Sequence, residues 1–526
     1  MLKRILIISL FFILFGAVSA QKPNYVVPKE LNGIGYPAHT ELTWQNNNSF
    51  LYEIYRLDKT TKEFKKLAET NWNGYLDFYK KPFEKKQNII YRILPKGVPV
   101  DCKEASEFEI SVPVRQGNDE ALLDMTQRYT TRYFYDFAEP KTGMARERSN
   151  DVNGDIVTTG GTGFGIMALI AGAEREYYSR ENAYKSINKI VSFLEQAERF
   201  HGAWAHWYDA KTGKPFSFSE YDDGGDLVET AFLMEGLLTA REYFRKGNEN
   251  EKILASRITQ LWETVEWKWY TQDTNALYWH WSKNYGWKMN HRITGFDETM
   301  ITYVLAASSP TYPIERSVYD SCYINSNYYL NGKSYYGIKL ALGMEYGGPL
   351  FFTHYSFLGL NPTGLSDKYT NYFDQNRSHA LIQLAYAKEN PKKHPGFGAN
   401  CWGFTSSDDP INGYSSHALG TPDENGTISP TAALASIVYT PKASMDVLRH
   451  FYFDQGQKLF GRYGFYDAFN LGMVEGQQVV HSYLAIDQGP IAVMIENYRS
   501  GLLWKLFMSN PEIHKGLDKL GFKIKE

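Results

Sequence analysis

Cysteine is scarce in this 526-residue chain, which has three: Cys102, Cys322 and Cys401. No two of them are spaced as C-x-x-C, which argues against a thiolate metal site, and at most one disulfide can form. Basic runs are also missing. The net charge is −3 at pH 7, and no Lys/Arg-rich segment could follow a phosphate backbone. The sequence therefore argues against nucleic acid as the main partner.

Long apolar runs are confined to the first twenty residues. MLKRILIISLFFILFGAVSA has Lys3 and Arg4, then an apolar run and a small-residue end, which is typical of a secretory signal peptide cleaved before Gln21. A membrane anchor is the weaker alternative, because the run is short and ends in small residues. We therefore expect a bacterial protein that is exported to the periplasm or secreted. The mature chain is expected to carry no membrane anchor.

Several common catalytic motifs are absent. The chain has no G-x-S-x-G and no H-E-x-x-H. The glycine-rich segment TTGGTGFG (158–165) lacks the Lys-Ser/Thr of a phosphate loop and the preceding strand of a dinucleotide fold. We interpret it as the start of a helix that borders a cleft. DDPING (408–413) lacks the alternating acids of a calcium loop.

Residues 21–117 have the pattern of short strands. TELTWQ, FLYEIYRLD, FKKLAET, GYLDFY and NIIYRILP follow one another between turns rich in Asn, Gly, Lys and Pro. This spacing predicts a small β-sandwich, and the order resembles a fibronectin type III domain with Trp44 on an early strand. The segment has no acid cluster of its own, so we expect it to be a packing or cleft-edge module.

From residue 118 to 526 the apolar period becomes helical. About a dozen amphipathic helices are predicted, among them 227–244 and one continuous helix over 487–507. This number of helices in one block, joined by long loops, predicts an (α/α)6 barrel, so the fold class is mainly α. An open α-solenoid would show a repeat period, and none is found.

Acidic residues stand where helices are expected to begin. In YDDGGDLVETAF, the spacing of Asp222, Asp226 and Glu229 places them on one helix face if the helix begins near Asp222. Helix capping alone can explain an acid at such a start. Glu229 differs, because it stands among apolar residues, and burial beside other acids raises the pKa of a carboxyl. We expect it to be paired with an Arg or to face a polar cleft.

The same pattern recurs at Glu298 in GFDETM and at Asp487 in AIDQGP. Helices that start in this way converge on one end of a barrel, which favours a cleft lined with carboxyls. Glycoside hydrolysis needs such a pair, one protonated and one ionised. The loops also supply aromatic rings that could stack on sugars and polar groups that could bind hydroxyls: Trp204, Trp207, Tyr278, Trp279, Trp281, Trp402, His206, Arg292, His354, Asp408 and Tyr414.

Eight ordered segments identify a family. EPKTGMARERSN, TTGGTGFGIMALIAGAERE, GAWAHWYD, YDDGGDLVETAFLMEGLLTARE, GFDETMITYVLAASSP, GGPLFFTHYSFLGLNP, CWGFTSSDDPINGYSSHALG and NLGMVEGQQVVHSYLAIDQGPIAVMIENYRSG resemble the glycoamylase-like proteins. More narrowly, they resemble the bacterial β-1,2-glucanases of glycoside hydrolase family 144. The resemblance covers nearly all of residues 118–526. It implies an (α/α)6 barrel, no metal or organic cofactor, and inverting hydrolysis of β-1,2-glucan or its oligosaccharides with release of sophorose.

The resemblance also implies roles for the acids. Glu298 is expected to be the general acid and Asp487 the general base, with Glu229 as the alternative acid. Asp222 and Asp226 are expected to bind sugar hydroxyls, together with the aromatic and polar residues Trp204, His206, Trp207, Trp279, Arg292, His354, Trp402 and Tyr414.

Two questions stay open at the level of sequence. The motifs do not separate exo from endo cleavage, and they do not define an oligomeric state. The alternative function is a non-catalytic glycan-binding protein of an exported uptake system, which would keep the aromatic loops but would not need acids at three helix starts.

Overall fold

The computed structural model describes residues 28–525, except 46–50, 82, 84, 85, 115, 152 and 153. The predicted signal peptide lies outside these residues. Contacts divide the chain into two compact units, with the boundary between Gln116 and Gly117. None of the helices in the described ranges is long and apolar enough to cross a bilayer.

The first unit consists of two antiparallel sheets. One sheet has the order β1-β2-β5 and the other β4-β3-β6-β7. A 3-10 turn, Lys103–Phe108, precedes the last strand. The strands predicted between residues 40 and 95 are confirmed, and the bounds are β1 Lys29–Gly35, β2 His39–Gln45, β3 Tyr52–Leu57, β4 Phe64–Thr70, β5 Gly74–Phe78, β6 Asn88–Pro95 and β7 Glu109–Pro113.

Side chains from both sheets form the larger of two core clusters in this unit. Leu42 and Trp44 of β2 pack with Tyr52 of β3 and Tyr91 of β6, all of them buried. Successive residues of a strand point to opposite faces, so each of these strands contributes every second side chain. The hydroxyl of Tyr91 is buried but satisfied, because it donates to Asp77 Oδ2 at 2.7 Å.

The second unit is mainly helical among its described residues. Its helices are α1 Asp119–Tyr135, α2 Thr159–Glu174, α3 Arg180–Leu194, α4 Leu227–Phe244, α5 Glu249–Glu263, α6 Met300–Ser308, α7 Arg316–Val318, α8 Tyr372–Glu389, α9 Pro430–Ala435, α10 Pro441–Arg449, α11 Gly456–Leu459, α12 Ala485–Arg499, α13 Leu502–Met508 and α14 Pro511–Leu520. Short strands cross the loops: β8 Ile156–Thr158, β9 Trp207–Asp209, β10 Lys214–Phe216, β11 Gly225–Asp226, β12 His280–Trp281, β13 Ser334–Tyr335, β14 Ile338–Lys339, β15 Leu365–Ser366, β16 Ser407–Asp409, β17 Gly413–Ser415, β18 Phe460–Gly461, β19 Gly464–Phe465, β20 Ala468–Phe469, β21 Val479–Val480 and β22 Lys523–Ile524.

The glycine-rich segment TTGGTGFG is the first half of α2, as predicted. A Cβ on Gly163 would lie 2.1 Å from the carbonyl oxygen of Phe232, and a Cβ on Gly236 would lie 2.1 Å from the carbonyl oxygen of Gly163. The backbones of α2 and α4 therefore cross in direct contact at these two glycines. Fifteen of the sixteen residues of α2 are buried, which makes it a helix covered on all sides.

The starts of three buried helices meet at one end of this unit. The backbone N–H of Gly160, in α2, donates to Glu229 Oε2, in α4, at 2.7 Å. A Cβ on Gly161 would lie 2.7 Å from the Cβ of Ala485, the first residue of α12. The loops that follow α3 and α5 return to the same end, because those helices run back along their neighbours. This end is called the cleft end below.

Two sequence-based predictions about helix bounds are wrong. Helix α4 begins at Leu227 with Asp226 as its N-cap, so Asp222 lies in the preceding turn and shares no helix face with Glu229. The predicted continuous helix over 487–507 is broken into α12 and α13 at Gly501, which has a left-handed φ of +66°. A glycine adopts this conformation without steric cost and ends a helix.

Candidate active site

A cavity of about 400 Å³ lies at the cleft end. Aromatic rings and carboxyl groups form most of its wall, and Phe218 and Tyr414 are both about half exposed. The lining residues are Glu147, Arg148, Thr158, His206, Trp207, Phe218, Glu229, Phe232, Trp279, Glu298, Phe351, Tyr355, Tyr414, Leu484 and Ile486.

Asp226 accepts hydrogen bonds from four groups at one wall of this cavity. As the N-cap of α4, its Oδ1 accepts the backbone N–H groups of Val228 and Glu229, both at 2.9 Å. Its Oδ2 accepts from His206 Nδ1 and from Trp279 Nε1, both at 3.0 Å. Burial alone would raise the pKa of Asp226, but His206 and the donors lower it below its ordinary value. Asp226 is therefore an ionised residue that orients two groups of the cavity wall.

His206, Asp222, Asp226 and Glu229 form a group that is called the His206 cluster below. Burial alone would lower the pKa of His206, but the charges of Glu229, Asp226 and Asp222 raise it to about 9. The imidazole is thus protonated at neutral pH, with its Nε2 3.9 Å from Glu229 Oε1. The ring of Phe218 stacks on it, with centroids 4.3 Å apart.

Glu229 and Asp222 hold their protons more tightly than ordinary acids. Burial raises the pKa of Glu229 to about 7, with a further rise from Asp226 and an opposing effect of His206 and the Gly160 N–H. Burial and the charge of Asp226 likewise raise the pKa of Asp222 to about 7. Asp222 Oδ1 lies 3.3 Å from His280 Nε2, which already accepts the N–H of Gly224. Both acids can thus exchange protons near neutral pH.

Glu298 lies in a turn just before α6 and lines the cavity. Its backbone carbonyl accepts the hydroxyl of Ser356, which also accepts the N–H of Ile301 at 2.9 Å. The carboxyl Oε2 of Glu298 is buried and has no hydrogen-bond donor among the described residues. Burial and the neighbouring Asp297 raise its pKa well above its ordinary value. Glu298 is therefore a neutral acid at the cavity wall, able to donate a proton.

Asp487 lies behind the cavity wall in the first turn of α12 and is fully buried. Its carboxyl lies within interaction range of the carboxyl of Asp467, and neither of its oxygens accepts a hydrogen bond from a donor among the described residues. Two neighbouring buried carboxyls without a cation between them retain a proton and titrate as a pair. Burial and the charge of the partner raise the pKa of Asp487 well above its ordinary value, and burial and the charge of Asp408 raise that of Asp467 to about 8.

Two residues connect this pair to the cavity. Asp467 Oδ2 accepts the backbone N–H of Asp408 at 2.7 Å, and Asp408 Oδ1 accepts from Arg148 Nη1 at 2.9 Å. Arg148 also donates through Nε to Glu147 Oε2 at 2.9 Å, and both Arg148 and Glu147 line the cavity. The guanidinium of Arg148 therefore forms ion pairs with both Glu147 and Asp408. Asp467, Asp487 and Asp408 are called the Asp467 cluster below.

Several residues proposed from the sequence as sugar contacts do not line the cavity. Trp204 and Trp402 are fully buried, and the indole N–H of Trp204 donates to Leu194 O at 3.1 Å. His354 is buried with Nε2 3.0 Å from Ser436 Oγ. Arg292 is exposed and lies over the ring of Tyr278. The first three are core residues, since no face of them reaches the cavity.

The structure adds cavity residues that sequence reasoning did not select. Glu147 and Arg148 stand inside the segment EPKTGMARERSN, and Tyr355 stands inside GGPLFFTHYSFLGLNP. These family motifs therefore included the three cavity residues, but nothing in the motifs distinguished them from their neighbours. Phe218, which lines the cavity, and Asp467, which is buried outside it, had no signal, because neither stands at a helix start. The residues that were selected and do line the cavity are Glu229, Glu298, His206, Trp207, Trp279 and Tyr414.

One group in the described chain has the composition of a metal site. Ligand atoms of His206, Asp222 and Asp226 all lie within 4.8 Å of one another. A histidine binds a metal ion in its neutral form, whereas in this structure the Nδ1 of His206 is hydrogen bonded to Asp226 Oδ2 and the surrounding acids favour the protonated ring. The imidazolium already supplies the positive charge among these acids.

Comparison with known proteins identifies the family. The chain is 42% identical over 510 residues to the exo β-1,2-glucooligosaccharide sophorohydrolase (non-reducing end) of Parabacteroides distasonis, covering 92% of this chain and 69% of the relative. This chain belongs to the glycoamylase-like glycoside hydrolases of the family 144 type. The model of the Glycoamylase family matches residues 290–511.

Two solved structures agree with this assignment. The β-1,2-glucanase of Parabacteroides distasonis has a TM-score of 0.85 at 40% identity and covers 95% of this chain and 73% of its own. The endo-β-1,2-glucanase of Chitinophaga pinensis, in complex with sophorotriose and glucose, has a TM-score of 0.75 at 50% identity and covers 78% of this chain and 99% of its own. The family resemblance seen in the sequence is therefore confirmed, and the chain is a glycoside hydrolase with a glycoamylase-like fold.

Proposed function

We propose that this protein hydrolyses β-1,2-glucosidic bonds in β-1,2-glucan or its oligosaccharides and releases sophorose by an inverting acid/base mechanism. The observation that supports it most is the 42% identity to a sophorohydrolase over 92% of the chain. The cavity agrees with this chemistry, because protonatable carboxyls and aromatic rings face the same space. A glycosidase needs one proton donor and one ionised carboxylate on opposite sides of the bond.

Glu298 is the proposed general acid. Its raised pKa keeps it protonated, and its Oε2 has no competing partner among the described residues, so its proton is available to the leaving oxygen. Glu229 is the alternative acid, since it lines the same cavity and its pKa is about 7. The nearby imidazolium of His206 would bind sugar hydroxyls or stabilise Glu229 after it loses its proton.

Asp487 is the proposed general base. As the base, Asp487 acts in the form of the pair that has lost a proton, which the N–H of Asp408 on Asp467 favours, and that negative charge accepts the proton of the attacking water. Tyr355 lines the cavity and lies within electrostatic reach of both Asp487 and Glu298. An inverting mechanism requires about 6.5–9.5 Å between acid and base carboxyls, which leaves room for the water.

The sugar chain is proposed to lie against Trp207, Phe218, Trp279 and Tyr414, four aromatic residues of the cavity that keep exposed surface. Asp226 fixes Trp279 through its indole N–H, so this ring is held in place before substrate binds. Both an exo-acting and an endo-acting enzyme are among the relatives, so either mode of cleavage fits the family.

The finer architecture is also a proposal. The sheet orders β1-β2-β5 and β4-β3-β6-β7 around one core support a fibronectin-III-like sandwich for the first unit. Helices α2, α4 and α12, which are mostly buried and start at the cleft end, support an inner ring of an (α/α)6 barrel for the second. Export through the predicted signal peptide is tested by fractionating cells that make the full-length chain.

The first experiment is a product assay. The purified protein is incubated with linear β-1,2-glucan, its short oligosaccharides, and β-1,3-, β-1,4- and α-1,4-glucans. Sophorose formed only from the β-1,2 substrates supports the proposal. One disaccharide from the first minutes indicates exo cleavage, and a falling ladder of products indicates endo cleavage.

Glu298→Gln separates the hydrolase from a glycan-binding protein. The variant keeps the size of the side chain but cannot donate a proton at neutral pH, so turnover should fall about 10²–10⁴-fold while oligosaccharide binding stays. Binding without product formation in the wild-type protein would favour the alternative of an exported glycan-binding protein.

A further inference from the structure

The backbone around Arg148 is attached to the start of α12. The N–H of Ala485 donates to Glu147 O at 3.0 Å, and Arg148 itself forms a β-bridge with Leu484, the N-cap of α12. Asp487 lies in the first turn of the same helix. Arg148 is therefore fixed in position relative to the turn that carries the proposed base.

The side chain of Arg148 is held by two carboxylates. Its Nε and Nη2 lie 2.9 and 3.4 Å from the two carboxyl oxygens of Glu147, and its Nη1 donates to Asp408 Oδ1 at 2.9 Å. The other carboxyl oxygen of Asp408 accepts the hydroxyl of Ser482 at 2.5 Å. The guanidinium is thus oriented at the wall of the cavity, where it keeps 29% of its side-chain surface exposed.

A chain of buried contacts leads from Arg148 to the proposed base. Asp408 donates its backbone N–H to Asp467 Oδ2 at 2.7 Å, and the carbonyl of Ser482 accepts the N–H of Asp467 at 3.0 Å. Asp467 in turn lies within interaction range of Asp487. Because the four residues beyond Arg148 are all buried, their positions depend on one another.

Arg148 is also the cation of this region. Glu147 and the three acids of the Asp467 cluster are called the acid group below. In the part of the chain that the structure describes, Arg148 is the one basic side chain that forms an ion pair with any member of the acid group. Ionised carboxyls at short range repel one another, so a positive charge decides how many of them lose their protons.

We propose that Arg148 is a positioning residue of the proposed base: it orients the acid group and supplies the positive charge that allows Asp487 to ionise. This inference rests on the proposed function. Without that charge the acid group would keep more protons at a given pH, because nothing would offset the repulsion among its members. Asp487 would then act as a base only at higher pH.

Five other titratable residues interact with the acid group: Tyr133, Tyr355, Tyr414, His206 and Glu229. Burial raises the pKa of the three tyrosines well above its ordinary value, so they stay neutral. His206 and Glu229 belong to the other cluster and act on Glu147. All five are present in every variant described below, so a difference between variants reports on the charges that were changed.

The test compares Arg148→Gln, Asp408→Asn and the double variant that combines them, with Arg146→Gln as the control. Arg146 stands two positions before Arg148 but does not line the cavity, and its Nε donates to Phe137 O at 3.1 Å. In Arg148→Gln the acidic limb of kcat/KM should move to higher pH by about one unit. Arg146→Gln should keep the wild-type limb.

The double variant separates charge from structure. It removes one positive and one negative charge, so its acidic limb should return towards that of the wild type. A purely structural role of Arg148 would instead lower kcat by the same factor at every pH, and Asp408→Asn would lower it further. The proposal is overturned by an unmoved limb in Arg148→Gln, or by a limb in the double variant that lies as high as in Arg148→Gln.

The test does not depend on the folding of Arg148→Gln alone. If that variant does not fold, the double variant is compared with Asp408→Asn, and both keep the same residue at position 408. Loss of the guanidinium should again move the acidic limb to higher pH. Equal limbs in these two variants overturn the proposal.

Failure of the proposed function is a separate outcome. If the wild-type protein cleaves no β-1,2 substrate, the charge role of Arg148 is tested by urea unfolding between pH 5 and 8. Loss of the cation raises the pKa of the acid group in the folded state, so stability is lost as pH rises. The difference in urea midpoint between wild type and Arg148→Gln should therefore grow over this range and be smaller in the double variant. A difference that is the same at every pH overturns the proposal.

Discussion

The two carboxyl clusters of the second unit both consist of buried acids, but only the His206 cluster contains a cation. The His206 cluster contains an imidazolium among its acids, and one of them, Asp226, is ionised with a lowered pKa. The Asp467 cluster has Arg148 at its edge, but that guanidinium contacts Glu147 and Asp408. Asp467 and Asp487 are left without a cation and retain a proton instead.

This difference shows what decides the charge of a buried acid. Burial raises the pKa of every carboxyl, so it does not distinguish the two clusters. The neighbouring group distinguishes them. The cation His206, which donates a hydrogen bond, keeps Asp226 ionised, whereas a second carboxyl keeps a proton on the Asp467–Asp487 pair. Glu147 lies between the clusters and influences the pKa of both Glu229 and Asp487.

Asp487→Asn should have the largest effect. It removes the proposed base but keeps a group that can hydrogen bond to Asp467, so kcat/KM should fall about 10²–10⁴-fold with little loss of stability. Initial rates of sophorose release from a short β-1,2-oligosaccharide measure the fall, and calorimetry checks that the variant still binds it. A loss smaller than tenfold would move the role of base to another carboxyl, with Glu147 as the next candidate.

Asp467→Asn should change the pH profile more than the rate. The amide keeps an oxygen for the N–H of Asp408 and can donate its N–H to Asp487, and it removes a neighbouring negative charge. All three changes favour the ionised form of Asp487 or leave it unchanged. The acidic limb of kcat/KM should therefore move to lower pH by about one unit, with activity at neutral pH within about tenfold of wild type. An unchanged limb would show that Asp487 does not titrate in this range.

His206→Gln tests the other cluster through stability. The pKa of His206 is raised from 6.5 to about 9 in the folded state, so its stabilising effect is complete below pH 6.5 and lost as pH rises through about 9. Wild-type protein should lose up to about 3 kcal/mol of unfolding free energy over this window, and the variant should lose less. Urea unfolding followed by circular dichroism at 222 nm gives the values at each pH.

His354→Gln is the matched control for that measurement. His354 is also a buried histidine of the helical unit, but burial lowers its pKa to about 3, so it is neutral throughout the window. Its removal can lower stability without changing the pH dependence. The interpretation of the His206 cluster fails if both variants keep the wild-type slope.

The site was predictable from the sequence where acids stand at the starts of apolar helices. Glu229 and Glu298 have this pattern, and both line the cavity. The local geometry was not predictable. Asp222 was placed on the face of α4, but Asp226 is the cap because the backbone of Gly225 and Asp226 pairs with Trp281 and His280 directly before the helix begins. Capping depends on where the preceding strand ends, which spacing alone does not show.

Asp467 shows a second limit. It stands in GRYGFYDAFN, twenty residues before Asp487, with no helical period around it. It reaches Asp487 because its backbone N–H donates to Ser482 O at 3.0 Å, which brings the residues before β20 against the start of α12. A long-range backbone contact of this kind leaves no pattern in the residue types.

Glu235→Gln should have the smallest effect and sharpens the comparison with a carboxyl that has neither a cation nor a second acid. Glu235 lies in α4 with Oε1 accepting the N–H groups of Gly359 at 2.7 Å and Leu360 at 3.2 Å. Burial raises its pKa well above the ordinary value, so the folded state keeps a proton that the unfolded chain loses above about pH 4.5. Stability from this group therefore falls as pH rises. Glutamine keeps the acceptor and does not titrate, so the variant should match wild type near pH 4.5 and exceed it by about 1–2 kcal/mol at pH 8. Glu242→Gln, which breaks the 2.6 Å ion pair with Arg245, should instead lower stability at pH 8, and a Glu235→Gln variant that behaved in the same way would show that Glu235 is ionised in the folded protein.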